Sequence, residues 1–360
     1  MSVPVTATCL CGRINETVHL EGPLPQHKRI CHCDTCRYTT GVLYLSAPTL
    51  ASKPDFVDRL TRYESSNNLS RYFCASCGSH MFIHVYQGDK WDVCSGVVDQ
   101  IQDGSTSPEV YTSHEFVDDT IDGGLAICML RNGEGQNLEL YAEADNEDCV
   151  PASRYTSTGK RSVVEDALLS SDNHKTRLRA SCHCGGVEYY ITRPTSASKT
   201  FNSPWPDLIV ASQAAHSDNP DNIKWWIRED NKYLAGTCTC RSCRLASGVP
   251  VQTWAFVPQA NIEMKDGKPW QPDFGTLGHY NSSKDVTRDF CKTCGATVFW
   301  RSEARPELID VSIGLLRAAE GARAESWLHW WTERISFCEE ALDWEVVRTL
   351  APGLKTIRKE

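Results

Sequence analysis

The chain has 360 residues, of which 41% are hydrophobic and 23% charged, so it has enough apolar content to bury sizeable cores. Its formal net charge of -9 argues against a general nucleic-acid role, which needs a basic face to neutralise phosphates. Its longest apolar runs fall well short of the ~20 residues that span a bilayer, so neither nucleic acid nor membrane is expected as a partner.

Taken in chain order, residues 1–8 carry neither a basic segment nor an apolar stretch of the kind that directs secretion, and a reducing, cytoplasmic setting is the expectation. In that setting C-x-C and C-x-x-C spacings favour metal over disulfides. The first such spacing is Cys9-Leu10-Cys11-Gly12, followed by Cys31-His32-Cys33-Asp34-Thr35-Cys36-Arg37, with Gly41 shortly after. Residues 42–45, 81–85 and 91–97 are rich in β-branched and aromatic residues and are predicted strands. Between them lie Tyr63-Glu64-Ser65-Ser66, Arg71 and Phe73-Cys74-Ala75-Ser76-Cys77-Gly78. A last strand is expected at 138–141, after which the chain turns polar and irregular, with a short helix predicted at 163–169.

At Cys182 the pattern restarts: Cys182-His183-Cys184-Gly185, then Cys238-Thr239-Cys240-Arg241-Ser242-Cys243-Arg244 with Gly248, then Tyr280-Asn281-Ser282-Ser283, Arg288 and Phe290-Cys291-Lys292-Thr293-Cys294-Gly295. Strands are predicted at 186–191, 251–256 and 309–313, and a helix at 315–324 from its alanine and arginine content. The chain is thus an internal repeat. It divides into a first domain at 2–142, a linker at 143–177, a second domain at 178–347 and a basic tail at 348–360. The predicted strands make the fold class mainly β, in two tandem domains.

Fourteen of the eighteen cysteines fall into this pattern, seven per repeat. A closed structural zinc takes four ligands, and three protein ligands with a vacant position is the form of a catalytic zinc. The outer pairs, each a short knuckle ending in a glycine that frees the backbone to turn, suit the closed site. The central C-x-C-x-x-C then offers three sulfurs from one tight turn, covering one side of an ion and leaving the other side open. Two zinc ions per domain is the resulting upper count.

These motifs resemble the glutathione-dependent formaldehyde-activating enzyme and centromere protein V family. The resemblance covers both repeats, and the tandem arrangement is similar to fungal members. It implies two tandem zinc-bound domains, each of small coiled antiparallel β-sheets, with structural ligands Cys9, Cys11, Cys74 and Cys77 in the first repeat and Cys182, Cys184, Cys291 and Cys294 in the second. It implies open-site ligands Cys31, Cys33 and Cys36, with Cys238, Cys240 and Cys243. It also implies a carbon-sulfur lyase or adduct-forming activity on a small thiol or aldehyde conjugate, with glutathione as candidate co-substrate. The chain departs from the family pattern in having two domains and in the 53 residues between Cys184 and Cys238, where 19 separate Cys11 from Cys31. The extra segment, 194–236, holds Trp205, Trp225 and Trp226 and is read as a packed surface excursion, with a lid over an open zinc as the alternative.

An open zinc deprotonates a bound thiol, and a set of three thiolates suits a soft sulfur ligand better than water. Arg37 and Arg244, one residue past the triplets, are candidates for binding the carboxylates of such a thiol, or else for balancing the anionic site or capping a turn. Beyond the open zinc sites themselves, no catalytic residue is named. His114 and His329 read as mutual counterparts and as packed structural histidines, with proton transfer near the site as the alternative. Cys94, Cys128, Cys149 and Cys338 lack metal spacing and read as plain thiols. The rival to an enzyme is a non-catalytic zinc-binding interaction module.

Overall fold

The computed structural model describes residues 2–101, 107–144, 148–155, 176–212 and 218–357. In each repeat the first knuckle closes a hairpin: strand Ser2–Thr8 pairs antiparallel with Asn15–Glu21, and Arg177–Ser181 with Glu188–Thr192. Alternate residues of these strands face inward, as in Val5, Ala7, Val18 and Leu20, because successive side chains in a strand point to opposite sides. The expected helix at 163–169 lies outside the described residues.

The second knuckle sits in a meander. Strands Thr61–Ser66, Leu69–Phe73, His80–Val85 and Lys90–Val93 form a four-stranded antiparallel sheet. In the second repeat the matching meander, Leu277–Ser283, Val286–Cys291, Thr297–Ser302 and Leu308–Ser312, continues through Gln252–Pro258 and Lys232–Cys238 into one eight-stranded sheet. The architecture is mainly β with small sheets, as the sequence implies. Parallel pairings enter where Gln26–Cys31 lies beside Glu109–Glu115, and where Lys232–Cys238 lies beside Leu328–Trp330.

The predicted strand at 42–45 makes only one isolated bridge, Leu45 with Cys31. Counting from Gly41 and Gly248, Pro48 falls where the second repeat has Ala255, and a proline lacks the N–H that a central strand must donate. The helix expected at 315–324 is absent too. Leu316 bridges to Ala180, the Arg317 N–H donates to the Arg179 carbonyl, and the Ala322 N–H donates to the Thr120 carbonyl. Long-range partners take the donors that a helix would use, outweighing a propensity of well under ~1 kcal/mol per residue.

One hydrophobic cluster runs through both repeats. Between them the contacts follow a two-fold pattern. The Gly96 N–H donates to the Gly248 carbonyl at 2.9 Å, and the Gly314 N–H donates to the Gly41 carbonyl at 3.1 Å. A Cβ at Gly78 would lie 2.5 Å from Phe290, and one at Gly295 would lie 2.7 Å from Phe73. The chain then ends on helix Trp344–Leu354, capped by the Asp343 carboxylate, which runs straight through the tail boundary expected at 347. It returns to the first repeat: a Cβ at Gly353 would meet the Cys128 carbonyl at 1.7 Å.

Candidate metal centres

The outer pairs of each repeat converge. The Sγ atoms of Cys9, Cys11, Cys74 and Cys77 lie within 4.8 Å of one another, as do those of Cys182, Cys184, Cys291 and Cys294. Gly12, Gly78, Gly185 and Gly295 all have φ between 72° and 81°, the left-handed conformation that lets each knuckle turn its sulfurs inward. Backbone N–H groups of Ile14 and Val187 donate to the Cys9 and Cys182 sulfurs, each at 3.3 Å. The sulfur separations of 3.4 Å (Cys9 to Cys11) and 3.5 Å (Cys184 to Cys291) are close to the ~3.8 Å edge of a tetrahedron with ~2.3 Å zinc–sulfur bonds. The donor set fits zinc. All eighteen cysteines are free thiols.

The central triplets are built from a strand end and a helix start. Cys31 ends Gln26–Cys31, Cys33 caps helix Asp34–Thr40 by accepting from the Cys36 N–H, and Cys36 sits in its first turn. Cys238, Cys240 and Cys243 repeat this around helix Arg241–Ser247. The three sulfurs of each triplet are again within 4.8 Å of one another. Hydrogen bonds from Cys31 and Cys33, with the charge of Arg71, draw the Cys36 thiol well below the ordinary range. Hydrogen bonds from Cys238 and Cys240, with the charge of Arg288, do the same for Cys243.

Each triplet forms part of a cavity wall. The first cavity, about 820 Å³, is lined by Cys31, Cys33 and Cys36 together with Lys28, Arg29 and Arg71. The second, about 390 Å³, is lined by Cys238, Cys240 and Cys243 together with Trp254, Trp300 and Arg288. None of the eight outer cysteines lines either cavity.

The structure separates two pairs of arginines. Arg71 donates to the Cys36 sulfur at 3.1 Å, and both terminal nitrogens of Arg288 lie 3.6 Å from the Cys243 sulfur. Arg37 and Arg244, the pair singled out above, line neither cavity. Arg37 is buried against Asp34, the Tyr38 hydroxyl and the Asp119 carbonyl. Arg244 donates to the Gly96 and Val98 carbonyls and to Asp99 of the other repeat. Their bonds serve a turn and the contact between repeats, while Nε and Nη1 of Arg37 and Nε of Arg244 are buried without a hydrogen-bond partner.

The histidines are also re-assigned. Cys31 pairs with Glu115, and Cys238 bridges to Ser336, so His114 answers Ile335 and not His329. His114 is buried, with Nδ1 2.9 Å from His32 Nε2 and Nε2 2.8 Å from the Met129 carbonyl, and burial lowers its pKa to about 4. His329 lies beside Glu229. Burial pushes the Cys94 and Cys128 thiols up to about 12, and neither joins a metal cluster among the described residues.

Sequence reasoning passed over one shared feature. Phe116 and Phe337 both have positive φ, 56° and 51°, and both line the cavities. A bulky residue in this region is strained, and such strain concentrates at functional sites. Phe116-Val117-Asp118-Asp119 and Phe337-Cys338-Glu339-Glu340 form a repeated signal that was available in the sequence. Asp119 accepts from the Asp34 N–H at 2.9 Å, and Glu340 from the Arg241 N–H at 3.4 Å, holding each loop to the start of its triplet helix. The long insertion also reaches the site: Trp205, Leu208 and Trp225 line the second cavity, and Asp207 accepts from the Phe337 N–H.

A family model described as glutathione-dependent formaldehyde-activating enzyme matches residues 4–114 and 221–334. The second match begins after Cys182 and Cys184, yet the fold brings both to Cys291 and Cys294. No curated protein matches the chain. A crystal structure of a Rhodobacter sphaeroides protein is similar at 17% identity and a TM-score of 0.24, over 42% of this chain and 98% of that one.

Proposed function

The chain belongs to the glutathione-dependent formaldehyde-activating enzyme family, and on that premise we propose that it is a carbon-sulfur lyase that makes or cleaves the adduct of a thiol and an aldehyde, acting on a glutathione-type conjugate. In the forming direction the thiol sulfur bonds to the aldehyde carbon, the carbonyl π pair moves to oxygen, and the thiol proton ends on that oxygen. The reverse cleaves the carbon-sulfur bond.

The observation that carries this reading is that three sulfurs of each repeat border a cavity while the other four do not. Up to two zinc ions per repeat would be held, one by the outer four cysteines and one by the triplet. Zinc on the triplet supplies the charge that keeps a further sulfur ionised at neutral pH. Hydrogen bonds from the neighbouring cysteines, helped by the charges of Arg71 and Arg288, favour the thiolate forms of Cys36 and Cys243. Lys28 and Arg29 line the first cavity and give it cations suited to the carboxylates of a tripeptide thiol. Phe116 and Phe337 offer an apolar edge that limits water beside the sulfurs. A purely structural zinc module, the alternative, calls for triplets roofed by side chains, and cavities of about 820 and 390 Å³ weigh against it.

Among the described residues no helix is long and apolar enough to cross a membrane. Free thiols at all eighteen cysteines suit a reducing cytoplasm. The test is exchange spectroscopy on ¹³C-formaldehyde and glutathione with zinc-loaded protein. Exchange between free aldehyde and S-hydroxymethyl adduct should speed up, and an exchange rate equal to the protein-free control overturns the reading.

A further inference from the structure

The two cavities share a plan and differ in chemistry. Counting from Gly41 and Gly248, Ala47 answers Trp254 and Thr49 answers Phe256. The sheet registers set Arg71 opposite Ile83 and Arg288 opposite Trp300, so Ile83 answers Trp300. Counting back from Cys31 and Cys238, Lys28 answers Ala235 and Arg29 answers Gly236. At Gly236 the space of a side chain is taken by Leu208 of the insertion, 2.5 Å from where a Cβ would stand. Each of these five replacements runs the same way: a small, aliphatic or cationic residue in the first repeat becomes an aromatic one, or loses its charge, in the second, although Arg288 and Arg305 remain among the residues lining the second cavity.

The insertion completes this wall. Trp205 and Trp225 join Trp254, Phe256 and Trp300 around the second triplet. Trp225 is held by its indole N–H on the Pro204 carbonyl at 2.9 Å and packs edge-on to Phe256 with centroids 5.0 Å apart. The charged groups there face partners of their own: Arg305 pairs with Asp310 at 2.8 Å and stacks on Trp300 at 4.5 Å, while Arg288 faces the Cys243 sulfur; Thr237 Oγ1 and Arg288 Nε are buried there without a hydrogen-bond partner. In the first cavity Lys28 lies 3.6 Å from Asp92 and donates to the Thr49 hydroxyl at 2.7 Å, Arg29 lies 3.6 Å from Glu115, and the Arg29 side chain is 47% exposed. The second cavity has less than half the volume, about 390 against 820 Å³.

We propose that the two centres take different ligands: the first an anionic, tripeptide-sized thiol, the second a small uncharged thiol bearing a flat aromatic ring, or its aldehyde adduct. This rests on the open-triplet reading above. Aromatic walls favour a flat apolar guest by stacked and edge-on contacts, and a carboxylate entering them gives up its water where the cations already face Asp310 and the Cys243 sulfur.

The two centres are separated by zinc-loaded Cys33→Ser, which leaves the second triplet intact, and Cys240→Ser, which leaves the first. Each is titrated by calorimetry with glutathione, phenylmethanethiol and benzyl alcohol, the last a ring without a thiol. Cys33→Ser should bind phenylmethanethiol about tenfold or more tightly than glutathione, and Cys240→Ser should prefer glutathione. Adding Trp254→Ala and Trp300→Ile, which carry the first repeat's residues, should abolish the ring preference of Cys33→Ser while its circular dichroism stays unchanged. Trp300→Ile alone serves if the pair does not fold. Glutathione preferred by Cys33→Ser, or a ring preference that survives these replacements, overturns the proposal. Benzyl alcohol bound as tightly as phenylmethanethiol, with ring preference lost on replacement, upholds ring selection and counts instead against sulfur meeting metal.

Discussion

Cys294→Ser should bring down both repeats together. Cys294 is fully buried and shares its cluster with Cys182, Cys184 and Cys291. Structural zinc contributes ~10–16 kcal/mol, so one ligand in four is worth ~2.5–4 kcal/mol, a large part of the ~5–15 kcal/mol that holds a typical domain folded. Because one hydrophobic cluster crosses both repeats, and Gly295 rests on Phe73 while Gly78 rests on Phe290, the loss is not confined to the second half. For a cooperative unit of this size ~4 kcal/mol corresponds to a fall in Tm of about 5 °C, and full loss of zinc to far more. Scanning calorimetry of wild type, Cys294→Ser and Cys33→Ser, with limited proteolysis of both halves, provides the measurement. The expected result is one transition throughout, lowered by at least that amount in Cys294→Ser and nearly unmoved in Cys33→Ser. Two transitions, with the first repeat melting as in wild type, would refute the shared core; equal falls in both variants would make the triplet structural.

Native mass spectrometry of zinc-loaded chain should show up to four ions, two of them resisting a mild chelator, and a ceiling of two would remove the open-triplet argument. Burial raises the Glu109 carboxyl from 4.5 to about 7, although Ser95 donates to it. Its folded pKa exceeds its unfolded one, so the unfolded chain ionises first and stability should decline between pH 4.5 and 7, by on the order of 3 kcal/mol, relative to Glu109→Gln. Urea unfolding of the two proteins across that range checks this, with parallel curves as the contrary outcome. Phe337→Gly should relieve a positive φ of 51°, leaving Tm level or higher by about 1 kcal/mol of stability while thiol affinity falls. A lower Tm with unchanged affinity would make the phenylalanine a packing residue.

The cysteine clusters were legible because ligand spacing is local: a C-x-C or C-x-x-C knuckle with a glycine behind it dictates its own turn. The two halves of each closed site lie far apart in sequence, yet the repeat showed which knuckles belong together, and the fold brings them together. Arg71 and Arg288 were visible as matched residues, but only the strand register shows that they face the sulfurs where Arg37 and Arg244 do not. The repeated phenylalanine with acidic residues after it was visible in the sequence, but the positive φ of Phe116 and Phe337 and their place beside the cavities were not, because both depend on tertiary structure. The helix expected at 315–324 failed for the same kind of reason, its donors being claimed by Arg179 and Thr120. Likewise the insertion's tryptophans suit a packed excursion, and their place on the wall beside Cys238 depends on tertiary structure.

The hydrogen bonds traded between Gly96 and Gly248, and between Gly314 and Gly41, have the reciprocal form of contacts between two identical subunits about a two-fold axis. In a homodimer every substitution appears twice, so both active sites must drift in step. Writing both halves into one chain frees each copy to change alone, and it makes the pairing independent of protein concentration. A tryptophan at 254 opposite an alanine at 47 is an asymmetry that no single gene for a symmetric pair can encode.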